Sequence, residues 1–148
     1  MVATLGSLDV LISRYKSTRK RTEVLAARLS SEDQTVQSMP DASPTKWHLA
    51  HVTWFFETFI LKAFAAEYRV YDLSFDHLFN SYYNAIGTQY PRVNRGMITR
   101  PGVNDVMAYR RHVDVCVLSL LVDLDEECSG RVMSLIELGL NHEEQHQE

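Results

Sequence analysis

Three stretches of this chain repeat apolar residues at three- and four-residue spacing, and a shorter one joins them near the end. Leu11, Tyr15, Thr22, Leu25 and Leu29 predict a helix from Asp9 to Leu29, with Ser7 before it as a cap. Its other side carries Arg14, Lys16, Arg19, Lys20 and Arg21, which read as a solvated helix face rather than a docking patch. The SSED run at Ser30–Asp33 signals a short further helical turn, closed by Pro40. Ser43-Pro44 pairs a capping residue with a proline suited to the first helical position, so the next helix is expected to run from there to about Phe64.

Residues Tyr68 to Asn104 differ in kind. They hold Gly87, Pro91, Gly96, Pro101 and Gly102 among many aromatics and keep no period, which predicts a long structured loop with short helical turns around Phe75 to Tyr83. Loops of this length in a small domain usually carry function. Val106, Tyr109, Val113, Val117, Leu120 and Leu121 then predict a helix from Val103 to about Leu124. Gly130 is expected to break the pattern, with a last helix beginning near Arg131. No useful strand-like alternation occurs. The expectation is one all-α domain over residues 1–148, a four-helix bundle with a long structured loop between its second and third main helices. The last helix is still periodic at His146, and the chain reaches Glu148 without Gly, Pro or a basic last turn, so the domain reads as truncated within that helix.

Composition narrows the partners. The 148 residues carry fifteen Lys+Arg against nineteen Asp+Glu, a net charge of −4, which lacks the basic footprint of a nucleic-acid binder. The N-terminus has no basic stretch ahead of an apolar run, and the apolar stretches are too short to span a bilayer. Cys116 and Cys128 form no metal or disulfide motif. A cytoplasmic protein acting on small molecules is the expectation.

Six histidines carry the chemistry: His48, His51, His77, His112, His142 and His146. His142 and His146 stand four apart, hence on one helix face. Continuing the apolar stripe of Leu135, Leu138 and Gly139 by threes and fours lands on both, so both imidazoles are expected to point into the bundle. Buried ring nitrogens need partners, and a metal ion supplies two at once. A third ligand is expected from the stripe Trp47, His51, Trp54, Phe55 and Thr58, in which His51 sits centrally. His48 falls about 60° round from His51 on the flank of that helix, which suits a residue that supports a ligand from behind or one at the surface, and Glu57 turns away. The best constellation is His51, His142 and His146. HEEQH at His142–His146 also fits H-E-x-x-H, in which Glu143 would be the base of a metalloprotease. The brevity of that motif, the missing third ligand downstream and the all-α context weigh against it. Arg92 and Arg95, three apart among Gly and Pro, could converge on a carboxylate or instead pin the loop; Tyr82, Tyr83 and Tyr90 could line the same cleft or fill the core.

From about Leu29 onward, three motifs in order carry a resemblance. SPTKWHLAHVTWFFETF, FNSYYNAIGTQYPRVNRG and LGLNHEEQHQE resemble the N-terminal, DinB-like four-helix domain of the EgtB-type sulfoxide synthases of ergothioneine biosynthesis. The resemblance implies a non-haem Fe(II) enzyme that uses O2 to join a thiol, cysteine or γ-glutamylcysteine, to the imidazole of Nα-trimethylhistidine (hercynine). It implies iron ligands at His51, His142 and His146, with Zn, Ni or Mn as substitutes in purified protein. It also assigns Gln145 to the trimethylated substrate and Arg92 and Arg95 to the carboxylate of the thiol. Glu144 stands where many relatives carry glutamine. The family continues into a C-terminal domain resembling formylglycine-generating enzyme, without which the isolated fragment is expected to be inactive. Two other readings stand beside it: a DinB-like thiol transferase that uses a divalent metal without O2, and a non-catalytic helical interaction module whose histidines merely pack.

Overall fold

The computed structural model describes residues 5–81 and 85–148. Helices form where the apolar spacing puts them, with shifts at their ends. α1 spans Leu5–Ala26 and the short α2 spans Ser31–Thr35. Ser30 and Asp33 close α2 with reciprocal side-chain to backbone hydrogen bonds. α3 (Thr45–Phe56) passes through one widened π turn, Glu57–Leu61, into α4 (Lys62–Phe64). The following loop contains α5 (Phe75–Phe79) and a 3-10 helix, Arg92–Met97. α6 (Val103–Val122) and α7 (Glu126–His146) complete the bundle. α3 packs against α6 and α7, and α1 lies along α7, so every long helix borders the same core.

Four details depart from the expected pattern. α1 takes in Ser7, which therefore does not cap it, and stops at Ala26, with Leu25 on its exposed side and Leu29 exposed beyond its end. Ser43 does not cap α3: Pro44 holds the cap position, and the Ser43 hydroxyl instead accepts from Arg95 Nη1 at 2.9 Å. Gly130 does not break α7, which begins four residues before it. The buried face of α7 is formed by Val132, Ile136, Gly139, Leu140 and Glu143, whereas Leu138 is exposed.

That buried face brings α7 very close to α3. A Cβ on Gly139 would stand 2.6 Å from Cε1 of Phe56 and 3.0 Å from Cδ1 of Phe55, so only glycine permits this approach. Tyr15 meets Phe56 edge-to-face with ring centroids 5.2 Å apart, which locks the ring that Gly139 faces.

At the centre of the bundle lies a charge network. Glu143 has no exposure to water, and its carboxylate accepts from Arg19 Nη1 at 2.9 Å, Arg110 Nη2 at 3.1 Å and the Thr22 hydroxyl at 2.6 Å. Arg19 also donates to Asp114 and Thr53, and Arg110 to Thr53 and the Leu49 carbonyl. Arg19, read from sequence as part of a solvated face, is therefore buried and paired, while Lys16, Lys20 and Arg21 do face water. Burial alone would push the Glu143 carboxyl up, but Arg19 and Arg110 outweigh it and hold the group below its ordinary value.

Two glycines on one helix give opposite predictions. Gly139→Ala should lower stability by about 1–3 kcal/mol, because the methyl meets the buried Phe56 ring. Gly130→Ala should raise it by up to about 1 kcal/mol, since nothing lies within 4 Å and alanine is the better helix former. Glu143→Ala, which strands two buried guanidinium groups, should cost about 3–5 kcal/mol. Urea denaturation of the three variants checks all of these.

Candidate metal centre

His51 is fully buried on α3, with its ring lying parallel to Trp47 at a centroid distance of 4.5 Å. Its Nδ1–H donates to the Phe79 carbonyl at 2.6 Å. That bond fixes the tautomer, because a neutral ring with hydrogen on Nδ1 leaves Nε2 as a bare acceptor. The bare Nε2 points at α7, where His142 Nε2 lies 3.2 Å away. His146 Nε2 is 3.1 Å from the same atom. His51, His142 and His146 form a group whose candidate ligand atoms all lie within 4.8 Å of one another.

These spacings could accommodate one shared cation. Nitrogens bound to one metal at about 2.0–2.1 Å, with angles between octahedral and tetrahedral, stand about 2.9–3.4 Å apart. Three ring nitrogens that converge this closely cannot all carry hydrogen, and His142 Nδ1 is buried without a hydrogen-bond partner among the described residues. A cation that takes the three Nε2 lone pairs resolves the first conflict. The donor set is neutral imidazole throughout, which suits Fe, Zn, Ni or Cu better than Mg or Ca.

The loop supplies the support. Trp47 Nε1 donates to the Leu78 carbonyl at 2.9 Å, and Trp54 Nε1 to Asp76 at 2.8 Å, so α5 is tied to the helix that carries His51. Arg95 is buried with its guanidinium 3.5 Å from the Trp47 ring centroid, completing an Arg95–Trp47–His51 stack. It also donates to Ser43 and Ser81.

Other candidates fall elsewhere. Arg92 is exposed on the same 3-10 helix, and Gln145 is exposed on α7 beside His146. Tyr90 packs against the core near His77; Tyr82 and Tyr83 lie outside the described residues. Glu57 turns away from the histidines as expected, yet it is buried, accepting from Tyr68, Tyr109 and the Tyr71 amide. Glu144 is exposed and pairs with Arg14. Glu143 cannot serve as a general base at this centre, since two arginines and Thr22 occupy its carboxylate inside the core. That removes the metalloprotease reading of HEEQH. His48, left open from sequence between a supporting and a surface place, has its Nδ1 2.8 Å from Nδ1 of His146. Its place on the flank of α3 allowed such a contact, but spacing alone did not name His146 as the partner.

The family model of the DinB superfamily matches residues 14–148. The chain belongs to the DinB superfamily. No curated protein matches it significantly. In this DinB-superfamily domain, no helix among the described residues is long and apolar enough to cross a membrane.

Burial pushes all four clustered histidines below their ordinary value: His51 well below, His146 to about 3, and His142 and His48 less far. His146 is pushed further by its neighbours His142 and His48. Each is neutral when folded, whereas the unfolded chain binds these protons near pH 6.5, so the unfolded state gains protons first as pH falls. The metal-free domain should therefore lose stability on going from about pH 7 to about pH 5.5, before the carboxylates titrate. Urea midpoints across that range measure the slope, which should flatten in His146→Ala.

Proposed function

We propose that this domain is the metal-binding part of a non-haem Fe(II) sulfoxide synthase that uses O2 to join a cysteine-type thiol to the imidazole of Nα-trimethylhistidine. The observation that carries the reading is the convergence of His51, His142 and His146 through Nε2 atoms spaced 3.1 and 3.2 Å apart. Membership of the DinB superfamily and the three motifs around the histidines, the tyrosine-rich loop and HEEQH support it.

Fe(II) held there supplies Lewis acidity and one-electron chemistry towards O2. The chain's own contribution is positioning and charge. The Phe79 carbonyl holds His51 in the tautomer that offers Nε2. Because the cage has no carboxylate, a divalent ion in it keeps its full charge, which lowers the pKa of a nearby thiol and favours thiolate as a reactant. Exposed Gln145, one residue before His146, is assigned to the trimethylated substrate. Arg92 and Arg95 are assigned to the carboxylate of the thiol. Arg95 reaches it by exchanging its bonds to the Ser43 and Ser81 hydroxyls while its guanidinium stays over Trp47. In this reading a downstream domain supplies the remainder of the cleft.

The test is anaerobic loading with Fe(II), then addition of a cysteine-type thiol, hercynine and O2 to the chain joined to that downstream domain, with products read by mass spectrometry. The expected product is a sulfoxide-bridged conjugate, lost in His142→Ala. Oxygen consumption without sulfoxide, or thiol transfer that proceeds with Zn(II) in the absence of O2, overturns the reading in favour of a metal-dependent thiol transferase. Absence of any bound metal would favour a helical interaction module.

A further inference from the structure

An imidazole that binds a cation through Nε2 must carry its hydrogen on Nδ1, and that N–H then needs an acceptor. For His51 the acceptor is the Phe79 carbonyl, at 2.6 Å. His142 has none among the described residues. For His146 the neighbour is His48, nitrogen to nitrogen at 2.8 Å, with the two ring planes inclined at 54°. That short contact is a hydrogen bond in only one of two senses, and a cation on His146 Nε2 selects the sense in which His146 donates.

We propose that His48 is a positioning residue of the metal centre: its bare Nδ1 accepts the Nδ1–H of His146 and holds that ring in the tautomer and orientation that turn Nε2 toward His51 and His142. His48 is not a fourth ligand. Among the described residues the metal-ligating group is His51, His142 and His146, and His48 meets His146 at Nδ1 rather than at the Nε2 that faces His142. Its place follows from the sequence: at position 48 on α3 it stands three residues before His51, so one helix supplies both a candidate ligand and the acceptor for another. With its own hydrogen on Nε2, His48 also lines an open groove with Leu25, Leu29, Val52, Thr45 and Gln147.

This inference rests on the three-histidine centre and not on which reaction occurs there. The experiment compares Zn(II) and Co(II) affinities of the wild type, His48→Ala and His48→Asn by chelator competition. Asparagine places an amide oxygen on Cγ, where the imidazole has Nδ1, and so keeps an acceptor without keeping a ring. His48→Ala should bind about 10–100-fold more weakly, a loss typical of removing the outer partner of a ligating histidine. His48→Asn should recover most of it, and the Co(II) absorption spectrum should show the same coordination number in all three proteins. Long-range 1H–15N correlation spectra of the Zn(II)-loaded wild type should show hydrogen on Nδ1 of His146 and on Nε2 of His48, a signature that a packing role would not produce. Wild-type affinity in His48→Ala, failure of His48→Asn to recover, a Co(II) spectrum that loses a ligand in His48→Ala, or hydrogen on Nδ1 of His48 each overturns the proposal. A wild type that binds neither ion overturns the metal centre itself, which separates the two failures.

Discussion

Glu143, Arg19 and Arg110 sit at the meeting point of α1, α3, α6 and α7 with almost no access to water, and the rest of the domain is arranged around satisfying them. Each guanidinium reaches a second helix: Arg19 bonds Thr53 on α3 and Asp114 on α6, and Arg110 bonds Thr53 and the Leu49 carbonyl on α3. Thr53 and Leu49 stand two residues either side of His51. On α7, at about 100° per residue, His142 and His146 lie about 100° and 60° to the same side of Glu143. Aiming Glu143 at the two arginines thus aims both histidines at His51. Rotating α7 by one residue would bury His142 or Glu144 against the arginines and leave Glu143 at the surface, a costly exchange of paired for unpaired charge.

A second constraint comes from the loop. Trp47, His51 and Trp54 share one face of α3, and each ring carries an N–H that a purely apolar core would leave unsatisfied. The Leu78 carbonyl, the Phe79 carbonyl and Asp76 accept them in turn, and Lys62 at the end of the same face also donates to Asp76. α5 is held against α3 because these donors need acceptors, and the tautomer of His51 is one consequence. The long segment between the second and third main helices is in this sense part of the core.

Much of this was legible from residue spacing. The helices, the loop with its short turn near Phe75, and the trio His51, His142 and His146 all follow from periodicity and i, i+4 pairing. The stripe used to find His142 and His146 was nevertheless off by about 80° on the helical wheel, because it followed Leu135 and Leu138. The buried stripe runs Val132, Ile136, Leu140 and Glu143, also at spacings of three and four, but a glutamate at its centre argues against such a choice unless its counter-charges are known. Those counter-charges, Arg19 and Arg110, lie 124 and 33 residues away in sequence, so no local pattern marks them. The same blindness to distant partners hid Arg19 among surface lysines and left His146 unnamed as the partner of His48, 98 residues away. Gly130 misled for a different reason: a single exposed glycine weakens a helix by only about 1 kcal/mol, and the packing of α7 exceeds that.

Charge completes the argument. HEEQH sets two carboxylates between two imidazoles, and a metal centre built from such a segment could easily have acquired an acidic ligand. Neither carboxylate joins the histidine cluster, because the buried arginines hold Glu143 on one side of the helix while Glu144 points out to Arg14. The network that orients the histidines therefore also keeps their cage neutral. A divalent cation bound by neutral rings attracts anionic partners more strongly than one already compensated by a carboxylate, so with a cation in the proposed centre the two core arginines would help decide which molecules approach the histidines.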